Sequence, residues 1–385
     1  MIACNVCGSD LGTPVYSGGK SSSITTMNKV IEGQTRIYHC LNCDHVQTEE
    51  LPDLVRFYAE EYSINEDSVE DDQLYEIRDG KEIYRSEHQA RVLMQKLGLS
   101  GAGADQNLKI LDYGCAKGAT LRRLIEAGAE VDPYLFDVTD KYEGYWRNFP
   151  KPAKWASHQP DPAWAGTLDV VLSFYALEHI PDLSGVLAGI RALLKPGGEF
   201  YFIVPNLYAN WADFIVADHV NHFSRRSLTA MLERAGFGEI EIDEEAHAAA
   251  FVVRSRSGAK QVAADIPGSG KAVADLAEFW SGAWKRVTDQ EAELAPDQPI
   301  AIYGAGIYGN FILSCLANPG RVACFLDQNR FLHGKELNGV RIMHPDDLPD
   351  DVAAVFVGLN PLNARRIIAS VSSLQERNLP CYFLN

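Results

Sequence analysis

One arrangement occurs twice in this chain and limits its fold more than any other feature. A short apolar strand runs into a glycine turn and a helix, and the next strand ends on an aspartate 23 residues after the first glycine. In the first copy, Lys109-Ile-Leu-Asp112-Tyr-Gly114-Cys115-Ala-Lys117-Gly118 leads into a predicted helix over 119–127, and Tyr134-Leu-Phe136 ends on Asp137. In the second, Ile300-Ala-Ile-Tyr-Gly304-Ala-Gly306-Ile-Tyr-Gly309 is followed by Val322-Ala-Cys324-Phe-Leu and Asp327. Such a turn lets the backbone approach a ligand at the N-terminus of a helix, and the acid is placed to accept hydrogen bonds from ribose hydroxyls. The first copy continues through the strand Asp169-Val-Val-Leu-Ser-Phe174, a helix over 183–194, and Phe200-Tyr-Phe-Ile-Val204. Strands alternating with helices predict a parallel doubly wound sheet, so the fold class is α/β.

A chain of 385 residues exceeds what one core organises. The expected parts are a zinc ribbon over 1–60, a helical connector over 61–104, a core over 105–255, a linker and helix over 256–298, and a second Rossmann-like domain over 299–385. The connector's helix is expected from Ile83 to Leu97, and the linker's over 271–294. The C-terminal Gly-x-Gly-x-x-Gly has two readings, a nucleotide site or a turn that only packs helix against sheet, and the sequence leaves both open. A formal charge of −17 without a basic stripe argues against nucleic acid as a partner. With neither a basic leader nor an apolar run of 18 residues, the expected location is the cytoplasm, with no membrane partner. There, eight cysteines argue for metal ligands and buried thiols. Cys4-Asn-Val-Cys7 and Cys40-Leu-Asn-Cys43 can each aim two thiolates at one tetrahedral Zn2+, and four thiolates leave no open coordination position. The zinc is therefore expected to be structural.

Four segments, LDYGCAKG, the acid Asp137, DVVLSFYALEHI and LKPGGEFYFIVPN, resemble in order and spacing the successive motifs of class I S-adenosylmethionine methyltransferases over about residues 105–255. The resemblance implies S-adenosylmethionine as cofactor. Gly114, Cys115 and Gly118 would face its methionine moiety, with Asp112 nearby, and Asp137 would hold the ribose. Phe136 and Ser157 are candidates for the adenine pocket, and Phe174 for a further cofactor contact.

Zinc ribbon, class I core and Rossmann-like C-terminal domain, in that order, resemble the sugar-nucleotide C-methyltransferases of deoxysugar biosynthesis. The implied acceptor is a small molecule, a nucleoside-diphospho-4-keto-6-deoxysugar methylated on the carbon beside its ketone through an enolate. In Asp218-His219-Val-Asn-His222-Phe-Ser224 the resemblance puts the base at His219, with Asp218 as the acid that orients it, and a second histidine at His179. Val216 and Ala217 stand where that family has a tyrosine and a histidine, and His222 replaces an aromatic residue. Tyr58 and Tyr62 match part of a tyrosine-rich loop whose later tyrosine gives way to polar residues around Asn65. Two other functions stay open. One is O- or N-methyl transfer to a sugar nucleotide or other small polar metabolite, with His219 or His222 deprotonating a hydroxyl. The other is a non-catalytic binding or assembly protein. The ribbon could equally be a dimer contact or a lid, so the oligomeric state is open too.

Overall fold

The computed structural model describes residues 2–19, 22–50, 68, 70–99, 107–261 and 265–385. Tyr58, Tyr62 and Asn65 lie outside them.

The first strand–turn–helix copy nucleates a seven-stranded sheet. Its strand order is Lys154–Ser157, Val131–Asp137, Leu108–Tyr113, Leu168–Phe174, Leu194–Pro205, Ala250–Ser257, Phe237–Asp243. The inner strands are apolar on consecutive residues, as in Val170-Val171-Leu172 and Phe200 through Val204, because helices cover both faces. On one face Leu93 of the helix Arg85–Leu97 and Leu121 and Leu124 of the helix Ala119–Glu126 pack over Ile110 and Leu135. On the other, Leu187 and Ile190 of Leu183–Leu193 and Leu228 and Met231 of Arg225–Arg234 pack over Phe200 and Phe202. The sheet is not wholly parallel, since Ala250–Ser257 runs antiparallel to both of its neighbours. This hairpin edge closes the sheet without another crossover helix.

Two helix starts differ from the sequence expectation. Lys81–Tyr84 pairs with Leu74–Arg78 as a hairpin, so the connector helix begins at Arg85. It ends at Gly98, whose φ of 65° allows its N–H to turn back onto the last helical carbonyls. The strand Ala250–Ser257 runs past the expected boundary at 255, and the long helix spans Gly270–Ala292.

The second copy builds a six-stranded sheet in the order Glu336–Leu337, Val340–Met343, Val322–Leu326, Ile300–Tyr303, Ala354–Val357, Cys381–Phe383, parallel apart from its first strand. The long helix buries Val273, Leu276, Trp280, Ala283 and Val287 in one core with Ile300, Ile302, Phe325 and Phe356.

The cysteine-bearing segment forms a third sheet in the order Tyr16–Ser17, Arg36–His39, Val46–Thr48, Asn221–His222. Its last strand comes from the unit built on the first sheet, with Asn221 opposite Gln47 and His222 opposite Val46. The ribbon is thus built into the core next to the histidines singled out by sequence. No helix among the described residues is long and apolar enough to cross a membrane.

Candidate functional site

The two cysteine knuckles fold alike. Gly8 N–H donates to the Cys4 carbonyl at 2.9 Å and Asp44 N–H to the Cys40 carbonyl at 2.8 Å. Gly8 and Asp44 both have positive φ, 75° and 64°, which turns each chain back so that its two thiols share one side. Cys4 Sγ and Cys43 Sγ are 3.6 Å apart, and Cys7 Sγ and Cys40 Sγ 3.5 Å. A tetrahedral zinc–thiolate site needs sulfurs about 3.8 Å apart. The four thiols are a group that could hold a metal ion.

The first glycine loop alternates left-handed residues, with Gly114, Ala116 and Gly118 at φ of 74°, 44° and 72°. A methyl group added to Gly118 would lie 2.9 Å from Phe149 Cε2. The loop is tied down from the next strand. The Phe136 carbonyl accepts from Gly114 N–H at 2.9 Å and Cys115 N–H at 3.0 Å. Asp137 Oδ2 accepts from Ala116 N–H at 2.9 Å and Oδ1 from Thr139 N–H at 3.3 Å. Asp112 lies beneath, 2 % exposed, and its Oδ1 has no hydrogen-bond partner. Burial, with Asp137 adding to it, pushes the Asp112 carboxyl up to about 7. An orphaned buried acid beneath a glycine turn suits a ligand that brings a cationic group to the loop. These residues therefore fit S-adenosylmethionine, whose amino acid moiety carries an ammonium group.

The loop adjoins a cluster of titratable side chains. A methyl group added to Gly114 would lie 3.0 Å from Ala176 Cβ, and Ala176 opens the 3-10 turn Leu177–His179. Glu178 is 1 % exposed and neither carboxylate oxygen has a partner; burial pushes it up to about 8. His179 donates from Nδ1 to the Asp218 carbonyl at 3.0 Å, and its ring stands 4.6 Å from that of His219, edge to face. The carboxylate that holds His219 is Asp213, whose Oδ1 accepts from His219 Nδ1 at 2.5 Å while its Oδ2 accepts from His222 Nδ1 at 2.8 Å. Burial alone would raise Asp213, but His222 and His219 hold it well below the carboxylate range. Burial would likewise lower His219, and Asp213 instead raises it to about 9. His179 is pushed down to about 4 by burial and by His219.

The ribbon holds this cluster in place. Asn221 Oδ1 accepts from Asn5 Nδ2 at 2.9 Å and faces His45 Nε2 at 3.1 Å, while its Nδ2 donates to the carbonyls of Leu177 at 3.0 Å and Ile180 at 2.7 Å. One side chain thus joins both knuckle regions to both walls of the cluster. Thr48 Oγ1 meets His222 Nε2 at 2.7 Å, and Thr26 holds both oxygens of Asp218.

Several sequence expectations change here. Asp218 precedes His219, but neighbouring side chains point to different sides of the chain, so Asp218 faces Thr26 and His179 while the acid on His219 comes from Asp213, six residues earlier. The His222 side chain is fully buried between Asp213 and Thr48, a supporting position with no access for an acceptor. Phe136 is 1 % exposed with its ring 4.7 Å from Tyr113, so it offers the loop its carbonyl while its ring belongs to the core. Cys115 is buried and its thiol lies against the Ala116 carbonyl. Ser157 and Phe174 are both part-buried at the C-terminal ends of their strands, Ser157 in register with Asp137. Sequence reasoning did not single out Asp213, Glu178 or Asn221. Glu178 stood in plain view beside His179, whereas Asp213 lies outside the His219 motif and is brought to it only by the turn at Trp211–Ile215, and the partners of Asn221 are distant in sequence.

Residues 84–241 match the sequence model of a family described as a methyltransferase domain. The C-methyltransferase NovU of Streptomyces niveus is 28% identical over 197 residues, 46% of this chain and 47% of that protein. A ubiquinone biosynthesis O-methyltransferase of Bordetella avium is 30% identical over 116 residues, 27% of this chain and 46% of that protein. The chain thus spans about half the length of these relatives. Among solved structures, the CurJ carbon methyltransferase aligns at 15% identity and a TM-score of 0.38, covering 45% of this chain and 54% of that one. Residues 84–241 carry a class I, S-adenosylmethionine-dependent methyltransferase domain.

Proposed function

We propose that the protein transfers a methyl group from S-adenosylmethionine to a small polar acceptor, most specifically to the carbon beside the ketone of a nucleoside-diphospho-keto-deoxysugar. One juxtaposition carries this reading: Gly114 of the loop leaves no room for a methyl group against Ala176, which leads straight into Glu178 and His179 against His219. Cofactor loop and acid–base side chains therefore share one end of one sheet. NovU, named a C-methyltransferase, supports transfer to carbon. The ubiquinone biosynthesis O-methyltransferases keep transfer to oxygen as the second reading.

The cofactor supplies an electrophilic methyl group on sulfonium; the chain's own task is to make the acceptor nucleophilic. In the simplest form of the site, the neutral form of His219, whose share grows as pH rises toward 9, takes the α proton. Its Nδ1–H is committed to Asp213, which leaves Nε2 as the ring atom for the acceptor, and Asp213 stabilises the imidazolium that forms. The C–H pair becomes the enolate, the enolate carbon forms the new C–C bond, and the methyl–sulfur bond breaks. General base catalysis of this kind contributes about 10²–10⁴-fold. The four cysteine thiols hold one Zn2+ away from the chemistry, keeping the Asn221 contacts in place.

The test is purified protein with S-adenosylmethionine and nucleotide sugars with and without a 4-keto group, in deuterated buffer, followed by mass spectrometry. The expected result is a keto-dependent gain of one methyl with α-proton exchange, lost in His219→Ala. Methylation without exchange, or of non-keto acceptors alone, would move the reaction to oxygen or nitrogen. Failure with every acceptor would leave a binding protein.

A further inference from the structure

Glu178, His179 and His219 each offer a ligand atom, and these atoms all lie within 4.8 Å of one another. Small side-chain rotations close that span to the ~3.4 Å between nitrogen and oxygen ligands of a tetrahedral zinc ion. Two further observations point to a cation. Glu178 is 1 % exposed with both oxygens unpartnered, which is costly for a carboxylate unless a positive group completes it. Each histidine also carries the outer contact typical of metal ligands, its Nδ1 held by an acceptor behind it: the Asp213 carboxylate for His219 and the Asp218 carbonyl for His179. That arrangement fixes ring orientation and directs Nε2 of His219 forward. Asp213 is itself steadied by His222, and His222 by Thr48 of the ribbon.

We propose that Glu178, His179 and His219 bind a divalent transition ion of the zinc type, separate from the four-cysteine site. Two imidazoles and one carboxylate suit such an ion, and three protein ligands leave a coordination position open, as in catalytic zinc sites. The hard cations Mg2+ and Ca2+ favour all-oxygen sites and fit poorly. The inference rests on methyl transfer at this site and changes one part of it. With His219 on the ion, a hydroxide bound beside the acceptor would take its proton and leave as water, while the ion holds the ketone or hydroxyl oxygen and lowers the cost of the negative charge that develops there.

The full chain, loaded with excess Zn2+ and then stripped of free metal, is assayed by elemental analysis. The expected count is two ions per chain, falling to one in Glu178→Gln, an isosteric change, and falling to one by loss of the other ion in Cys4→Ser. Loading with Co2+ separates the sites. The cysteine site gives intense thiolate charge-transfer bands, and the second site weak ligand-field bands that Glu178→Gln removes. Asp213→Asn, which keeps the shape but weakens the outer contact, should cost the second site about 10–100-fold in affinity and leave the first unchanged. One ion per chain in the folded wild type, or two in folded Glu178→Gln, overturns the proposal. Methyl transfer by a one-ion protein sinks the metal site and leaves the function standing. A second ion without transfer to any acceptor supports the site and sinks the function.

Discussion

The two glycine loops share the same pattern of hydrogen bonds to the next strand and differ in what surrounds it. Gly114 N–H donates to the Phe136 carbonyl at 2.9 Å, and Gly304 N–H to the Leu326 carbonyl at 2.7 Å. Ala116 N–H donates to Asp137 at 2.9 Å, and Ala305 N–H to Asp327 at 3.0 Å. Both aspartates also accept from the residue two places on. Yet two residues before the first glycine the first copy has Asp112, buried with an orphaned oxygen, where the second has the apolar core residue Ile302. Glu178, His179 and His219 cluster beside the first loop, while among the described residues the only other such His, Cys, Asp and Glu group is that of the cysteines. The segment after Asp327 is used for docking instead. Arg330 lies 3.5 Å from Glu82, and the Phe331 ring 5.3 Å from that of Tyr84, both on the hairpin that precedes the first unit's helix. The same glycine turn and acid thus join strand to helix in both units, and the side chains around them are what differ.

The sharpest way to break this comparison is to remove each acid in turn. Asp137→Ala should weaken S-adenosylmethionine binding about 100-fold, the value of two hydrogen bonds to a charged group, and Asp327→Ala should leave it within about twofold by calorimetry. Equal losses would mean that the second loop also serves the cofactor.

Asp112 allows a pH test that has no counterpart at Ile302. Its folded pKa is raised from 3.8 to about 7 by burial and Asp137, so between those values the folded protein binds a proton that the unfolded chain has released. Stability from this group is thus complete below about 3.8 and is lost as pH rises through 7. Asp112→Asn should remove on the order of 3 kcal/mol of the decline between pH 5 and pH 8, read from urea unfolding at the two pH values. An unchanged pH slope would show that the acid is not buried as described.

The glycines themselves sharpen the contrast by smaller amounts. A methyl group on Gly309 would lie 2.0 Å from the Gly304 carbonyl oxygen, backbone that cannot step aside, so Gly309→Ala should cost about 2 kcal/mol. Gly118→Ala, which meets the movable ring of Phe149 but must keep φ at 72°, should cost about 1 kcal/mol. Gly306→Ala enters open space at φ −115° and should change thermal stability by less than about 0.5 kcal/mol. A large loss at Gly306 would mean that something outside the described contacts occupies that space.

Much of the fold was legible because its signals are local. Apolar runs bounded by glycine turns mark strands such as 168–174 and 300–303, and the paired Cys-x-x-Cys knuckles need only five consecutive residues to aim two thiols. The reversal of Ala250–Ser257 was not legible, since an apolar run carries no sign of its direction. His179 and His219 were found by resemblance, and their orientation was not. The choice of Asp218 over Asp213 followed sequence adjacency, whereas the hydrogen bond follows the turn at Trp211–Ile215 that brings Asp213 beneath both His219 and His222.

By itself the sequence determined the α/β class, the set of four thiols and the two glycine turns, because each is written in residues close along the chain. Only the tertiary structure decided that the ribbon forms a wall of the candidate site. That depends on Asn221 and His222 completing the ribbon's sheet and on Thr26 and Thr48 reaching Asp218 and His222, pairings across more than 170 residues. It also decided which glycine loop meets titratable side chains. A glycine turn can form from local rules alone, but a buried carboxylate finds its partners only when distant segments pack together and exclude water.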